Sequence, residues 1–139
     1  MSSLRGEHAV VTGAGRGIGA AIARALAAQG AKISLLGRSS GSLDKLAAEL
    51  NGSTETCVAV ADVTDGSALQ AAFARAKERF GPVTILVNNA GVARSAPLHT
   101  ADDSLWDEML AVNLGGVYRC IRCALPDMFQ AGQIGRAHV

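Results

Sequence analysis

The amino-acid sequence predicts a doubly wound α/β fold, in which helices cover both faces of a parallel sheet. Three observations carry this. Short apolar runs alternate with helix-period segments along the chain. A cluster of glycines stands immediately after the first apolar run. The 49% apolar content is mostly Ala, Val, Ile and Leu with only 4% aromatic residues, which suits helices packed on a sheet buried on both faces. A length of 139 residues allows one domain at most.

Ala9-Val10-Val11-Thr12 is the first apolar run and reads as a strand closed by glycines. Gly17 to Gln29 follows as a helix, with Ile18, Ile22 and Leu26 on one stripe, and Gly30 ends it. Lys32 to Leu36 is a second strand that stops at Gly37. Ser42 to Leu50 places Leu43, Leu46, Ala47 and Leu50 at helical spacing before Asn51-Gly52 breaks the pattern. Cys57 to Ala61 is a third strand, and Asp65 to Phe80 a helix with Leu69, Ala72, Phe73 and Ala76 on one face. Gly81-Pro82 turns the chain into a fourth strand, Val83 to Val87, apolar enough for burial on both faces. Two helical stretches follow, Asp102 to about Leu110 and Asn113 to about Gln130, the second with Pro126 late in it. Right-handed crossovers give the strand order 3-2-1-4. The sheet is expected to be truncated after the fourth strand and the long helix.

Composition excludes several functions. A formal net charge of +1 offers no basic field for nucleic acid. The apolar runs are too short to span a bilayer, and Met1 to His8 holds no apolar signal core. The expectation is a cytoplasmic protein acting on a small molecule, with neither nucleic acid nor membrane as partner. Three cysteines, an odd number, suggest no disulfide framework, and His8, His99 and His138 form no ligand cluster, so no metal is expected. Cys120 and Cys123 have C-x-x-C spacing but lie inside a predicted helix without a second ligand pair, and burial is the expected role. Trp106 is expected to pack rather than to recognise substrate.

Thr12-Gly13-Ala14-Gly15-Arg16-Gly17-Ile18-Gly19 joins the first strand to the first helix. A pyrophosphate at such a junction needs a tight turn, close backbone approach and free N–H groups at a helix N-terminus, and a residue without Cβ serves all three. A plain strand-to-helix turn is the alternative. The strict G-x-G-x-x-G spacing fails, because the third residue after Gly15 is Ile18; the glycines instead fit T-G-x-x-x-G-I-G through Thr12, Gly13, Gly17, Ile18 and Gly19. Asp62-Val63 follows the third strand, where a carboxylate can accept from an adenine edge and an apolar neighbour can pack on the ring. Asn88-Asn89-Ala90-Gly91 follows the fourth, where small residues leave room in the crevice at which strand order reverses. Val112-Asn113-Leu114 opens the long helix. Taken singly, these are also a loop aspartate, an Asn-Gly type of turn and an N-cap.

Together and in this order the motifs resemble those of the short-chain dehydrogenase/reductase family, 3-oxoacyl thioester reductases among its members. The resemblance runs from about residue 8 to about residue 131. It implies a Rossmann-type NAD(P)-binding domain. Thr12, Gly13, Gly15, Arg16, Gly17, Ile18 and Gly19 would contact the cofactor, Asp62 and Val63 would hold the adenine, and Asn89, Ala90 and Gly91 would lie beside the cofactor. Asn113 would be catalytic, positioning a water in a proton relay.

The end of the second strand chooses between cofactors. A site for NAD places Asp or Glu there against the ribose 2′-hydroxyl. This chain reads Leu35-Leu36-Gly37-Arg38-Ser39-Ser40, with no carboxylate before Asp44. Arg38 would pair with a 2′-phosphate through its planar donor fork, and Arg16 would close its other side. The cofactor favoured is NADP over NAD.

The resemblance also implies a serine, a tyrosine and a lysine beyond the next strand. Tyr118 and Arg122 imitate Y-x-x-x-K, but Arg is not Lys and the position is one helix too early. Ile134-Gly-Arg-Ala-His-Val139 matches the translation of a common sequencing-adapter DNA. Residues 1–133 are therefore expected to be the N-terminal part of one domain, with 134–139 a non-native tail. The parent protein is expected to be a homo-oligomeric NADP(H)-dependent oxidoreductase that interconverts a carbonyl and a secondary alcohol, and this chain an inactive fragment of it. The alternative is a non-catalytic dinucleotide-binding module. With the sheet ending at strand four, Val117, Ile121, Leu125 and Met128 are expected to be exposed as a patch.

Overall fold

The computed structural model describes residues 3–130, 132, 137 and 138. The elements are β1 (His8–Thr12), α1 (Gly17–Ala28), β2 (Lys32–Gly37), α2 (Ser40–Leu50), β3 (Thr56–Val60), α3 (Gly66–Phe80) and β4 (Ile85–Val87). Then come α4 (Asp103–Leu110), a π-helical turn (Ala111–Gly115), α5 (Gly116–Gln130) and β5 (Ala137–His138). Every strand pair is parallel, and the order is β3-β2-β1-β4-β5. The first four strands stand as the crossover rule requires. The difference is β5: Ala137 and His138, which the sequence reading placed in a tail beyond the sheet, pair with Leu86 and Val87. An unpaired strand edge templates an extended segment lying alongside it. Residues 133–136 and 139, and with them the expected join at Gln133, lie outside the described residues.

The pleat divides each strand between two apolar layers. Ala9, Val11, Ile33 and Leu35 face α1 and α2, against Ala20, Ala23, Ala27, Leu43 and Leu46. Val10, Leu36, Ala59 and Leu86 face α3 and α5, against Leu69, Phe73, Cys120, Ala124 and Met128. Burial raises the thiol of Cys120 to about 12 and also pushes Cys123 up, so the C-x-x-C pair is protonated packing. Among the described residues no group of His, Cys, Asp and Glu is placed to hold a metal, and no helix is long and apolar enough to cross a membrane.

Helix ends follow local chemistry. Asp65 caps α3 by accepting from the Ala68 amide at 3.1 Å, and Asp102 caps α4 through the Leu105 amide at 2.9 Å. β4 begins later than its apolar run, because the Val83 amide donates to Asp127 Oδ2 at 3.1 Å rather than to the neighbouring strand. The expected start of a helix at Asn113 is corrected. Leu110 and Gly116, flanking the π turn, both hold α-helical dihedrals (φ −66°, ψ −43° and φ −62°, ψ −43°), so α4 passes into α5 without the extended backbone an N-cap needs. The expected patch is corrected too. Met128 is fully buried and Val117, Ile121 and Leu125 are half-buried, whereas Trp106, Leu110, Leu114, Tyr118 and Phe129 are exposed. Trp106, at 64% exposure, is not the packing residue expected.

Candidate nucleotide site

The carboxyl ends of β1, β2, β3 and β4 open into a cleft of about 610 Å³ at the place where strand order reverses. Gly13, Gly15, Arg16, Gly17, Ile18, Arg38, Asp62, Val63, Asn89, Ala90 and Gly91 all line it. Thr12, Gly19 and Asn113 do not, and each has a different position to account for.

Thr12 is buried at 1% exposure behind the wall. Its Oγ1 donates to the Val87 carbonyl at 3.4 Å and accepts from the Asn89 and Ala90 amides at 3.0 and 2.9 Å. The threonine therefore fixes the chain leaving β4 rather than touching the cleft. Asn89 Nδ2 completes the joint by donating to the Gly13 carbonyl at 3.1 Å. The glycines divide the same way. A Cβ at Gly19 would lie 2.2 Å from the Gly13 carbonyl oxygen, one at Gly13 would lie 2.9 Å from Ala90 Cα, and one at Gly15 would lie 2.4 Å from Ser42 Oγ. These three let segments of the protein approach one another. Gly17 differs: its φ is +59° and an added Cβ would meet nothing within 4 Å. Of the glycines in this turn, it is the one whose Cβ position is open space, and it lies in the wall of the cleft. Ile18 beside it is 72% exposed.

Arg38 stands where β2 ends, and Arg16 precedes α1. Among the described residues neither has a salt-bridge partner. Asp62 Oδ1 accepts from Thr64 twice, from the amide at 2.9 Å and the hydroxyl at 2.8 Å. The Thr64 amide, aided by its hydroxyl and the Arg38 charge, holds the Asp62 carboxyl below its ordinary range, so it is an acceptor at neutral pH. Asn88 is 8% exposed and its Nδ2 is buried with no hydrogen-bond partner among the described residues.

Asn113 lies within the π turn at the edge of the cleft. Its Oδ1 accepts from the Val92 amide and its Nδ2 donates to the Val92 carbonyl, both at 2.9 Å. Val92 and Val112 line the cleft on either side of this clasp. Gly91 makes it possible, since a Cβ there would lie 3.1 Å from Asn113 Oδ1.

The family model described as short chain dehydrogenase matches residues 7–136. The chain belongs to the short-chain dehydrogenase family. As a member, it is 48% identical over 115 residues to a galactitol 2-dehydrogenase (L-tagatose-forming) of Cereibacter sphaeroides, covering 83% of this chain and 44% of that one. A metagenomic short-chain oxidoreductase solved in complex with NADP superposes with a TM-score of 0.89 at 40% identity, over 95% of this chain and 61% of that one. An alcohol dehydrogenase of the archaeon Thermococcus sibiricus, complexed with 5-hydroxy-NADP, gives a TM-score of 0.87 at 38% identity, over 91% and 55%. The chain spans about half the length of the curated relatives it matches.

Several residues that line the cleft carry no mark in the sequence motifs. Ser39 and Ser42 line it at the start of α2, and Leu43, Ala61, Val92 and Val112 supply apolar wall. The two serines follow Arg38 closely, and that proximity was the signal available. Nothing in the sequence marks Val92 or Val112.

Proposed function

We propose that the chain is the nucleotide-binding half of an NADP(H)-dependent oxidoreductase that interconverts a carbonyl and a secondary alcohol. One observation carries the reading: Arg16 and Arg38 line the same cleft as the glycine turn, and no carboxylate stands at the end of β2. The site fits the group, because Gly17 leaves its cradle open while the neighbouring glycines are filled by protein. Bound NADPH supplies the hydride. The residues of this chain bind and orient: amides of the glycine turn take the pyrophosphate at the start of α1, and Arg38 and Arg16 take the 2′-phosphate. Asp62 accepts from the adenine edge through its remaining oxygen while Val63 packs on the ring. Asn113, with its side chain spent on Val92, holds the loop at the edge of the cleft, and it would serve the proton relay from there.

Tyr118 is the chain's one tyrosine, and it meets Arg122 Nη1 at 3.3 Å on an exposed helix face. That pair is no substitute for a buried tyrosine with a lysine, so the chain alone reduces no carbonyl. The whole protein acts on a small molecule in the cytoplasm as a homo-oligomer. Similarity to a polyol dehydrogenase makes a sugar alcohol one substrate class, beside the acyl thioesters suggested by motif.

Fluorescence titration of the 139-residue chain tests the reading. NADPH is expected to bind more tightly than NADH. Arg38→Asp is expected to cost about tenfold or more in NADPH affinity, through lost charge-assisted bonds and like-charge repulsion, and to favour NADH. Equal affinity for the two cofactors overturns the NADP assignment. Turnover of ketones by the chain with NADPH overturns its inactivity.

A further inference from the structure

We propose that Arg119 is a positioning residue that locks the adenine side of the cleft to the π turn carrying Asn113. The inference rests on the nucleotide-site reading above, and the residues it adds, Arg119, Gly115 and Gly116, lie outside every motif that led to it. Arg119 Nη1 donates to two carbonyls, 3.4 Å from Val63 and 3.3 Å from Ala111. Val63 lines the cleft just beyond β3, and Ala111 is the first residue of the π turn. One guanidinium thus spans backbone 56 residues before it and 8 residues before it.

The surrounding sequence makes room for this joint. A Cβ at Gly115 would lie 2.8 Å from Arg119 Nη1, and a Cβ at Gly116 would lie 2.6 Å from Val63 Cγ2. The glycine pair leaves one space in which the guanidinium folds back and a second in which Val63 sits against the helix. Two carbonyl dipoles that point together repel, and a fixed cation between them satisfies both. Asn113 is two residues past Ala111, and its amide clasps Val92 on the far wall. Arg119 therefore sets the spacing between Val63 and that wall. The adenine-contacting segment and the segment bearing Asn113 move as one.

Adenosine 2′,5′-bisphosphate is the probe, because it carries adenine, ribose and 2′-phosphate but no nicotinamide. Its Kd is measured by calorimetry on the 139-residue chain and its variants, well below the Tm recorded for each without ligand. Arg119→Ala is expected to weaken binding about tenfold, and Arg119→Lys to restore part of that, since an ammonium reaches one carbonyl. Gly115→Ala keeps the arginine but fills its space, and is expected to weaken binding in the same direction. The double variant is expected to bind no worse than Arg119→Ala alone, because the group that the new Cβ displaces is gone. A role in stability alone would lower Tm and leave Kd unchanged. An unchanged Kd in Arg119→Ala overturns the proposal, as does an unchanged Kd in Gly115→Ala where Arg119→Ala fails to fold. Additive losses in the double variant overturn it as well. Failure of the unaltered chain to bind the probe instead removes the nucleotide-site reading, and this inference with it.

Discussion

An added Cβ at Gly19 would collide with the Gly13 carbonyl and with Asn89 Nδ2, at 2.2 and 2.4 Å, whereas one at Gly17 would meet nothing within 4 Å. Two glycines of one turn thus answer to different constraints. Gly19→Ala is expected to destabilise the fold by about 1–3 kcal/mol, because the Gly13 carbonyl is backbone and cannot swing aside, and the Asn89 amide is tied to that same carbonyl. Gly17→Val is expected to cost about 1–2 kcal/mol for its left-handed φ, while abolishing measurable NADPH binding by occupying the open cradle. Urea midpoints and cofactor titrations on both variants check the division, and the reverse pattern would put the cradle elsewhere. The sequence announced that this turn was special but not which residue faced where. T-G-x-x-x-G-I-G spacing is the same whether a position looks toward ligand or toward Asn89. Thr12 shows the cost of that ambiguity: the motif groups it with the cofactor contacts, but its hydroxyl is engaged with the end of β4 and the chain that follows it.

At the scale of elements, Asp127 joins three of them. Its Oδ1 accepts from Lys77 Nζ of α3 at 2.8 Å and its Oδ2 from the Val83 amide ahead of β4 at 3.1 Å, and its side chain is only 9% exposed. Asp127→Ala is expected to cost about 2 kcal/mol, since it strands a buried amide that had a charged acceptor. Lys77→Ala is expected to cost about 0–1 kcal/mol, because the ammonium side of the pair is half exposed. Equal losses in urea unfolding would show that the ion pair, not the amide, is what matters. Long helices with one apolar face, such as Asp65 to Phe80, were legible almost to the residue, and so were the strands enclosed by glycines. β4 is shorter than its apolar run, which does not reveal that the Val83 amide has a partner on α5. The π turn was missed for a related reason. Asn113 after a short helix looks like a cap, and its amide makes backbone hydrogen bonds much as a cap does, but to Val92 rather than to its own helix.

The molecule as a whole rests on its opposite end from the cleft, where His8 is buried at 2% exposure. Its Nδ1 lies 3.0 Å from the Gly81 carbonyl, which only accepts, so Nδ1 carries the proton and Nε2 accepts from the Ser34 hydroxyl at 2.7 Å. The Phe80 ring meets the imidazole edge-on at 5.4 Å. Burial lowers the His8 pKa, outweighing the hydrogen bond to Gly81 and the pull of Asp127, which Lys32 opposes. In the folded state the ring takes up a proton less readily than in the unfolded chain. Stability is therefore full above the ordinary histidine value of about 6.5 and is lost as pH falls below it toward the folded value. The urea midpoint is expected to hold steady from pH 8 to about 7 and to decline toward pH 5, and His8→Gln to flatten that decline. An identical slope in the variant would assign the dependence to another group. The order of strands and the two apolar layers were readable from alternation alone, because parallel crossovers leave few arrangements. The pairing of Ala137 and His138 with β4 was not, since two residues carry no periodicity. The π turn has a consequence for direction. It inserts one residue into a helix that advances 3.6 residues per turn, so α5 is rotated by about 100° from the line α4 would have continued. Cys120, Ala124 and Met128 face the sheet, while α4 buries no residue at all. Removing a single residue between Ala111 and Gly115 would shorten the rod by only about 1.5 Å, yet it would steer the whole buried face of α5 off the sheet.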